Sequence, residues 1–120
     1  GAVIVTTPQE VALIDARKAV SMFSKVNVPI LGLVENMAWF SLPDGTHQPL
    51  FGSGGVSRMA GELGIELLVS LPLEPALGAS ADAGVPLVLS APASPAAANF
   101  RDLAKKIAGK LALVPQDRDA

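Results

Sequence analysis

An apolar run, Ile30-Leu-Gly-Leu-Val34, stops abruptly on a carboxylate, an amide and a thioether, Glu35-Asn36-Met37. Such a run reads as a buried strand, and in open α/β sheets ligands bind in the crevice outside the carboxyl ends of the strands. A polar Glu35-Asn36 at that edge therefore faces the place where ligands go. The chain starts on a similar run, Ala2-Val-Ile-Val-Thr6, apolar on both faces and so suited to the inside of a mostly parallel sheet. It has no initiator Met, and the strands that follow are few, so the expectation is the later part of a larger domain.

Between these runs, Thr7-Pro-Gln-Glu10 has the form of a capping box with proline at the first helical position. Ala12, Ala16, Ala19, Val20 and Phe23 then recur at helical spacing, which predicts a helix ending near Ser24 or Lys25 with one face on the sheet. Asn27 and Pro29 break the chain before the second strand, giving a β-α-β unit whose parallel crossover is expected to be right-handed. Ala38 to Leu50, with Pro43-Asp-Gly45 and Pro49 as turn formers, predicts an exposed loop or short hairpin. Gly52-Ser-Gly-Gly55 opens a helix carrying Val56, Met59, Ala60 and Leu63, closed by Gly64. A third strand is expected over Ile65 to Leu71, then a small-residue helix or turn from about Ala76 to Ala83, an extended Val85 to Leu89, and a last helix capped by Ser94 with Pro95 next. That helix presents Phe100, Leu103, Ala104, Ile107 and Leu111 on one face and Arg101, Lys105, Lys106 and Lys110 on the other. The expected division is a domain over 1–112 and a polar tail over 113–120.

With 120 residues, 50% hydrophobic and 17% charged, the chain is long enough for one domain with a real core. A net charge of -2 offers no basic field for nucleic acid, so no nucleic-acid partner is expected. Zero cysteines exclude disulfides, thiolate metal sites and a cysteine nucleophile within these residues. No apolar run approaches the roughly 20 residues of a membrane span, and no membrane association is expected.

Several residues invite a chemical role. Glycines at a helix start can present N–H groups to phosphate, yet Gly52-Ser-Gly-Gly55 lacks the Lys-Ser/Thr of a P-loop and follows a loop, which favours a flexible helix entry. His47 is the single histidine and has no partner for a metal site or triad. Asp44-Gly45 is foremost a turn dipeptide. Trp39 and Phe40, in a Pro/Gly loop, are either core or a partner interface. Met37 fits a gap-filling role, and the lysines near the end a solvated helix face. Asn36 differs, because an amide offers both a donor and an acceptor and can read a purine edge, or can simply end a strand.

Gly1-Ala-Val-Ile-Val-Thr-Thr-Pro-Gln-Glu10, Gly32-Leu-Val-Glu-Asn-Met37, Phe51-Gly-Ser-Gly-Gly55, Leu71-Pro-Leu-Glu-Pro75 and Asp82-Ala-Gly-Val-Pro86 together resemble the Mrp/ApbC family of iron–sulfur cluster carrier ATPases, related to MinD and ParA. The resemblance runs from Gly1 to about Leu111 and covers the C-terminal part of the family's domain. It implies an α/β class, a partial P-loop NTPase-like fold with a mainly parallel sheet flanked by helices. It implies ATP and Mg in the full-length protein, whose P-loop and Mg-binding positions precede this stretch, so ATPase activity is expected there and not of these residues alone. It implies the adenine side of the pocket here, with Asn36 reading the base and Pro72, Leu73 and Glu74 closing beside it, and Thr7 to Glu10 near the nucleotide and the dimer face. It also implies a homodimer, iron–sulfur client proteins and a cytoplasmic location.

The sequence departs from the family at the metal. Where the family commonly carries Cys-Pro-x-Cys, this chain has Leu42-Pro43-Asp44-Gly45, and neither leucine nor glycine ligates iron. Two other readings stay open: a non-catalytic dimerisation or client-docking module using the Trp39-Phe40 loop, and a positioning ATPase of MinD/ParA type. The last would be expected to use an amphipathic membrane-targeting tail, which Gln116-Asp-Arg-Asp-Ala120 is not.

Overall fold

In the computed structural model, which describes residues 1–113, three parallel strands form the centre of the molecule. They are β1 (Ala2–Thr6), β2 (Ile30–Glu35) and β5 (Leu67–Ser70), in the order β1-β2-β5. β2 is central because it is apolar on both faces, with Leu31 to Val34 all buried. Register alternation sends Leu33 to one face and Val34 to the other. Helices α1 (Glu10–Lys25) and α2 (Gly55–Leu63) cover the Leu33 face, where Ile4, Leu13, Ala16, Val20, Leu33, Val56, Met59 and Ala60 form one cluster. On the opposite face α5 (Pro95–Leu113) crosses β2 and β5, seated by Ala96 and Ala97. The α/β class with a parallel sheet flanked by helices is therefore as expected.

Several local expectations are corrected. The Thr7 capping box does not form: Thr7 Oγ1 donates to Gln9 Oε1 at 3.0 Å, and the helix starts at Glu10 with Gln9 O accepting from the amides of Ala12 and Leu13. The buried stripe of α1 is Leu13, Ala16 and Val20, with Leu13 entering the core in place of the half-buried Ala12. Its far end is a Schellman motif, in which Asn27 sits at φ 58° and the Val28 amide reaches back to Phe23 O at 3.0 Å. β1 is not buried on both faces, since it pairs with β2 alone among the described residues and Val5 is 60% exposed.

The segment after β2 is a hairpin of two short antiparallel strands, β3 (Phe40–Ser41) and β4 (His47–Gln48). The third parallel strand is shorter than its apolar run, because the Ile65 amide is taken by Ala60 O at the exit of α2. α3 (Pro75–Ala83) occupies the small-residue stretch as expected. Val85 to Leu89 is not extended: Pro86 caps a single helical turn, α4 (Leu87–Ser90), which buries Leu87. α5 begins as its sequence predicts, the Ser94 hydroxyl accepting from the Ala97 amide at 3.2 Å. It continues to Leu113, so the first residue of the expected 113–120 tail belongs to the helix; the remainder of that tail lies outside the described residues. The lysine face of α5 is solvent-facing as expected, with Lys106 Nζ donating to Leu68 O at 2.6 Å and Lys110 Nζ pairing with Glu66 at 2.9 Å.

Candidate functional site

Because β2 and β5 are parallel neighbours, their carboxyl ends leave the sheet side by side, and the chain beyond each end stays paired with the other. The Leu71 amide donates to Glu35 O at 2.7 Å, the Ala38 amide to Leu71 O at 2.8 Å, and the Leu73 amide to Trp39 O at 2.7 Å. Backbone pairing therefore outlasts the strands and fixes Asn36–Trp39 against Leu71–Leu73. A side-chain bond reinforces it, Ser70 Oγ donating to Glu35 Oε1 at 2.7 Å across the last register pair.

Asn36 is set by both of its neighbours. Its amide donates to Thr6 O at 2.8 Å, tying it to the end of β1, and its Oδ1 accepts from the Met37 amide at 3.0 Å. Met37 completes this tight turn in the left-handed region at φ 55°, a costly conformation for a residue other than glycine. Among the described residues, Asn36 Nδ2 has no hydrogen-bond acceptor, so the amide keeps its donor side for something else.

Asn36, Pro72, Leu73 and Glu74 line one cavity of about 330 Å³ together with Met37, Pro75, Leu77, Gly78 and Ala81. The four residues expected at the site thus line one cavity, although Asn36 and Pro72 stand far apart in the sequence. The sequence reading missed the far wall. Leu77, Gly78 and Ala81 follow Glu74 at intervals of three, four and seven, the face of a helix, so the onset of α3 at Pro75 was the signal that could have found them. The volume lies near the lower end of small-ligand pockets, roughly 300–1,000 Å³. The walls are mostly apolar, with the Asn36 amide and the Glu74 carboxylate among them.

The other candidates lie elsewhere. Gly54 takes φ 81° to start α2, and a Cβ on Gly55 would stand 2.8 Å from Leu13 Cδ1, so this glycine lets α2 press against α1. Backbone conformation thus accounts for Gly54 and packing for Gly55. His47 stacks on Trp39 across the hairpin, ring centroids 4.5 Å apart and nearly parallel. With Ser41, Gly45, Pro95, Ala96 and Asn99 they line a second cavity of about 610 Å³, which shares Pro72 and Glu74 with the first. At the hairpin tip the Thr46 hydroxyl and then its amide donate to Asp44, at 2.6 and 2.9 Å, and hold its carboxyl below the ordinary aspartate range. Leu42 and Gly45 close that turn through their backbone, the Gly45 amide donating to Leu42 O at 2.9 Å. No group of three or more His, Cys, Asp or Glu side chains placed to hold a metal occurs among the described residues.

Comparison with known proteins gives a consistent picture. The family model described as NUBPL iron-transfer P-loop NTPase matches residues 1–108. An iron-sulfur cluster carrier protein of Deinococcus radiodurans is 50% identical over 114 residues, covering 94% of this chain and 32% of that protein. The Salmonella typhimurium carrier protein is 46% identical over 112 residues, covering 92% and 30%. The iron-sulfur cluster transfer protein NUBPL of Dictyostelium discoideum is 43% identical over 122 residues, covering 99% and 37%. The chain thus spans about a third of the length of the curated relatives it matches. Among solved structures, a nucleotide-binding protein from Archaeoglobus fulgidus in complex with ADP superposes with a TM-score of 0.61 at 40% identity, over 70% of this chain and 35% of that one. The cell division ATPase MinD of Pyrococcus furiosus gives 0.66 at 26% identity, over 91% and 43%.

Proposed function

Since the chain belongs to the NUBPL iron-transfer P-loop NTPase family, we propose that it supplies the adenine-side pocket and part of the dimer surface of an ATP-binding iron–sulfur cluster carrier. The observation that carries this reading is the convergence of Asn36 with Pro72, Leu73 and Glu74 on one cavity at the carboxyl edge of a parallel sheet. There Asn36 Nδ2 donates to a ring nitrogen of the base, while Pro72 and Leu73 cover one face of the ring. ADP in the Archaeoglobus fulgidus relative supports a nucleotide as the ligand.

The residues present fit the base and not the phosphates. Gly52 to Gly55 carries no lysine, and Gly55 packs α2 on α1, so ATP with Mg is bound only together with a P-loop supplied by the rest of the parent protein. ATPase activity would belong to the parent and not to these residues alone. The iron–sulfur cluster is cargo, and its usual cysteine ligands are not in this hairpin, where Leu42 and Gly45 offer iron no donor side chain. The same reading assigns the parent to the cytoplasm as a homodimer serving iron–sulfur client proteins.

A non-catalytic client-docking module is the competing reading, favoured by the cysteine-free hairpin tip beside the Trp39–His47 stack. ATP affinity of the full-length parent separates the two. Asn36→Ala is expected to weaken ATP binding by about three- to tenfold, the loss of one hydrogen bond, with the far-UV circular dichroism spectrum unchanged. Calorimetry showing equal affinity in the variant would remove the adenine from this cavity.

A further inference from the structure

α3 supplies Pro75, Leu77, Gly78 and Ala81 to the cavity, yet none of its nine residues is buried. A helix this short is marginal on its own, and the usual anchor, an apolar face in the core, is lacking here. What holds it is at its ends. Glu74 sits extended at the N-cap, φ -123° and ψ 113°, its Oε1 accepting from the Ala76 amide at 3.3 Å and its carbonyl from the Leu77 amide at 3.0 Å. Pro75 takes the first helical position, and Gly84 at φ 74° ends the helix. At the far end Ser80 Oγ meets Ser90 Oγ of α4 at 3.0 Å.

We propose that Glu74 is a positioning residue, whose carboxylate acts on the nucleotide through α3 and not by touching the base. This rests on the adenine reading of the cavity and goes beyond it, since it takes Glu74 out of the contact set and gives it control of a wall. Glutamate is not among the preferred N-caps, which are Ser, Thr, Asp and Asn. Shorter capping side chains therefore do its work at least as well, whereas a base contact needs its reach. The carboxylate also bonds inward to Ala76, which commits one oxygen to the helix. When the cap is lost, the fraction of molecules with α3 formed falls, and apparent affinity falls by the same fraction.

The test uses the full-length parent with two probes, ATP and inorganic triphosphate, the second lacking a base. Glu74→Ala is expected to weaken ATP binding by up to about fivefold, the limit set by a typical N-cap loss, and to leave triphosphate binding unchanged. Glu74→Asp and Glu74→Ser are expected to restore ATP affinity to within about twofold of the original. If Asp and Ser bind ATP as poorly as Ala, glutamate contacts the nucleotide directly and the proposal is wrong. Affinity unchanged from the original in all three variants also overturns it. Should the Ala variant be unstable, the Asp and Ser variants decide alone. Asn36→Ala, run in parallel, separates the two levels: its silence refutes the adenine site, whereas its effect with silent Glu74 variants refutes only the role of Glu74.

Discussion

Adding one methyl group at Gly32 is expected to reverse its ordinary effect, depending on what stands opposite. Gly32 lies in the middle of β2, and a Cβ there would be 2.5 Å from Leu68 Cγ and 2.8 Å from both of its Cδ atoms. Leu68 is 1% exposed and cannot swing away. By backbone entropy alone, Gly→Ala in a strand stabilises by about 0.5–1 kcal/mol. The clash opposes this with the cost of overpacking a filled core, about 1–3 kcal/mol. Overpacking wins, and Gly32→Ala should destabilise by about 1–2 kcal/mol, lowering the melting temperature by roughly 4–8 °C at this chain length. Leu68→Ala alone should cost about 2–5 kcal/mol by opening a cavity. In that background the added methyl meets no leucine, so Gly32→Ala should then stabilise by about 0.5–1 kcal/mol. A double-mutant cycle by urea denaturation, followed by far-UV circular dichroism, measures the coupling, expected at about 2 kcal/mol. If Gly32→Ala costs the same with Leu68 absent, steric crowding is not why glycine stands there.

Two further outcomes concern local geometry. Asn27→Ala should destabilise by about 1 kcal/mol, because the left-handed position that ends α1 disfavours alanine, while Asn27→Gly should be neutral or better; thermal denaturation of both checks this. Asp44 is held below its ordinary value by Thr46, so its contribution to the hairpin is present above the unfolded aspartate value and disappears as pH falls through the lower folded value. An NMR titration should show the Thr46 amide shifting with a midpoint below that of aspartate in an unstructured peptide, and Thr46→Val should raise that midpoint.

Elements whose cause lies within a few residues were legible before any coordinates. Gly64 closing α2 and Ser94-Pro95 opening α5 are of this kind. Two-sided apolar runs likewise marked the parallel strands. Val85 to Leu89 was misread because an apolar run of that length has no period of its own, and only Pro86 at the cap and the burial of Leu87 decide for a helical turn. Thr7 was misread because Gln9 competes for its hydroxyl, a side-chain choice that a motif does not encode. The partners of Lys106 and Lys110 could not be foreseen on their solvated face, since Leu68 and Glu66 are 38 and 44 residues away in sequence. The near wall of the candidate site, Asn36 and Pro72 to Glu74, came from strand ends and resemblance. The far wall depended on where α3 begins.

The backbone bonds that continue past β2 and β5 have an evolutionary consequence. Glu35, Leu71, Ala38, Leu73 and Trp39 hold the two exits together through main-chain atoms that every amino acid except proline can provide. The frame of the pocket therefore does not depend on the side chains of the hairpin it carries. The tip from Leu42 to Gly45 can gain or lose chemical groups over generations while the cavity beneath keeps its shape. A lineage can in this way change the chemistry of one loop and retain the cavity beneath it.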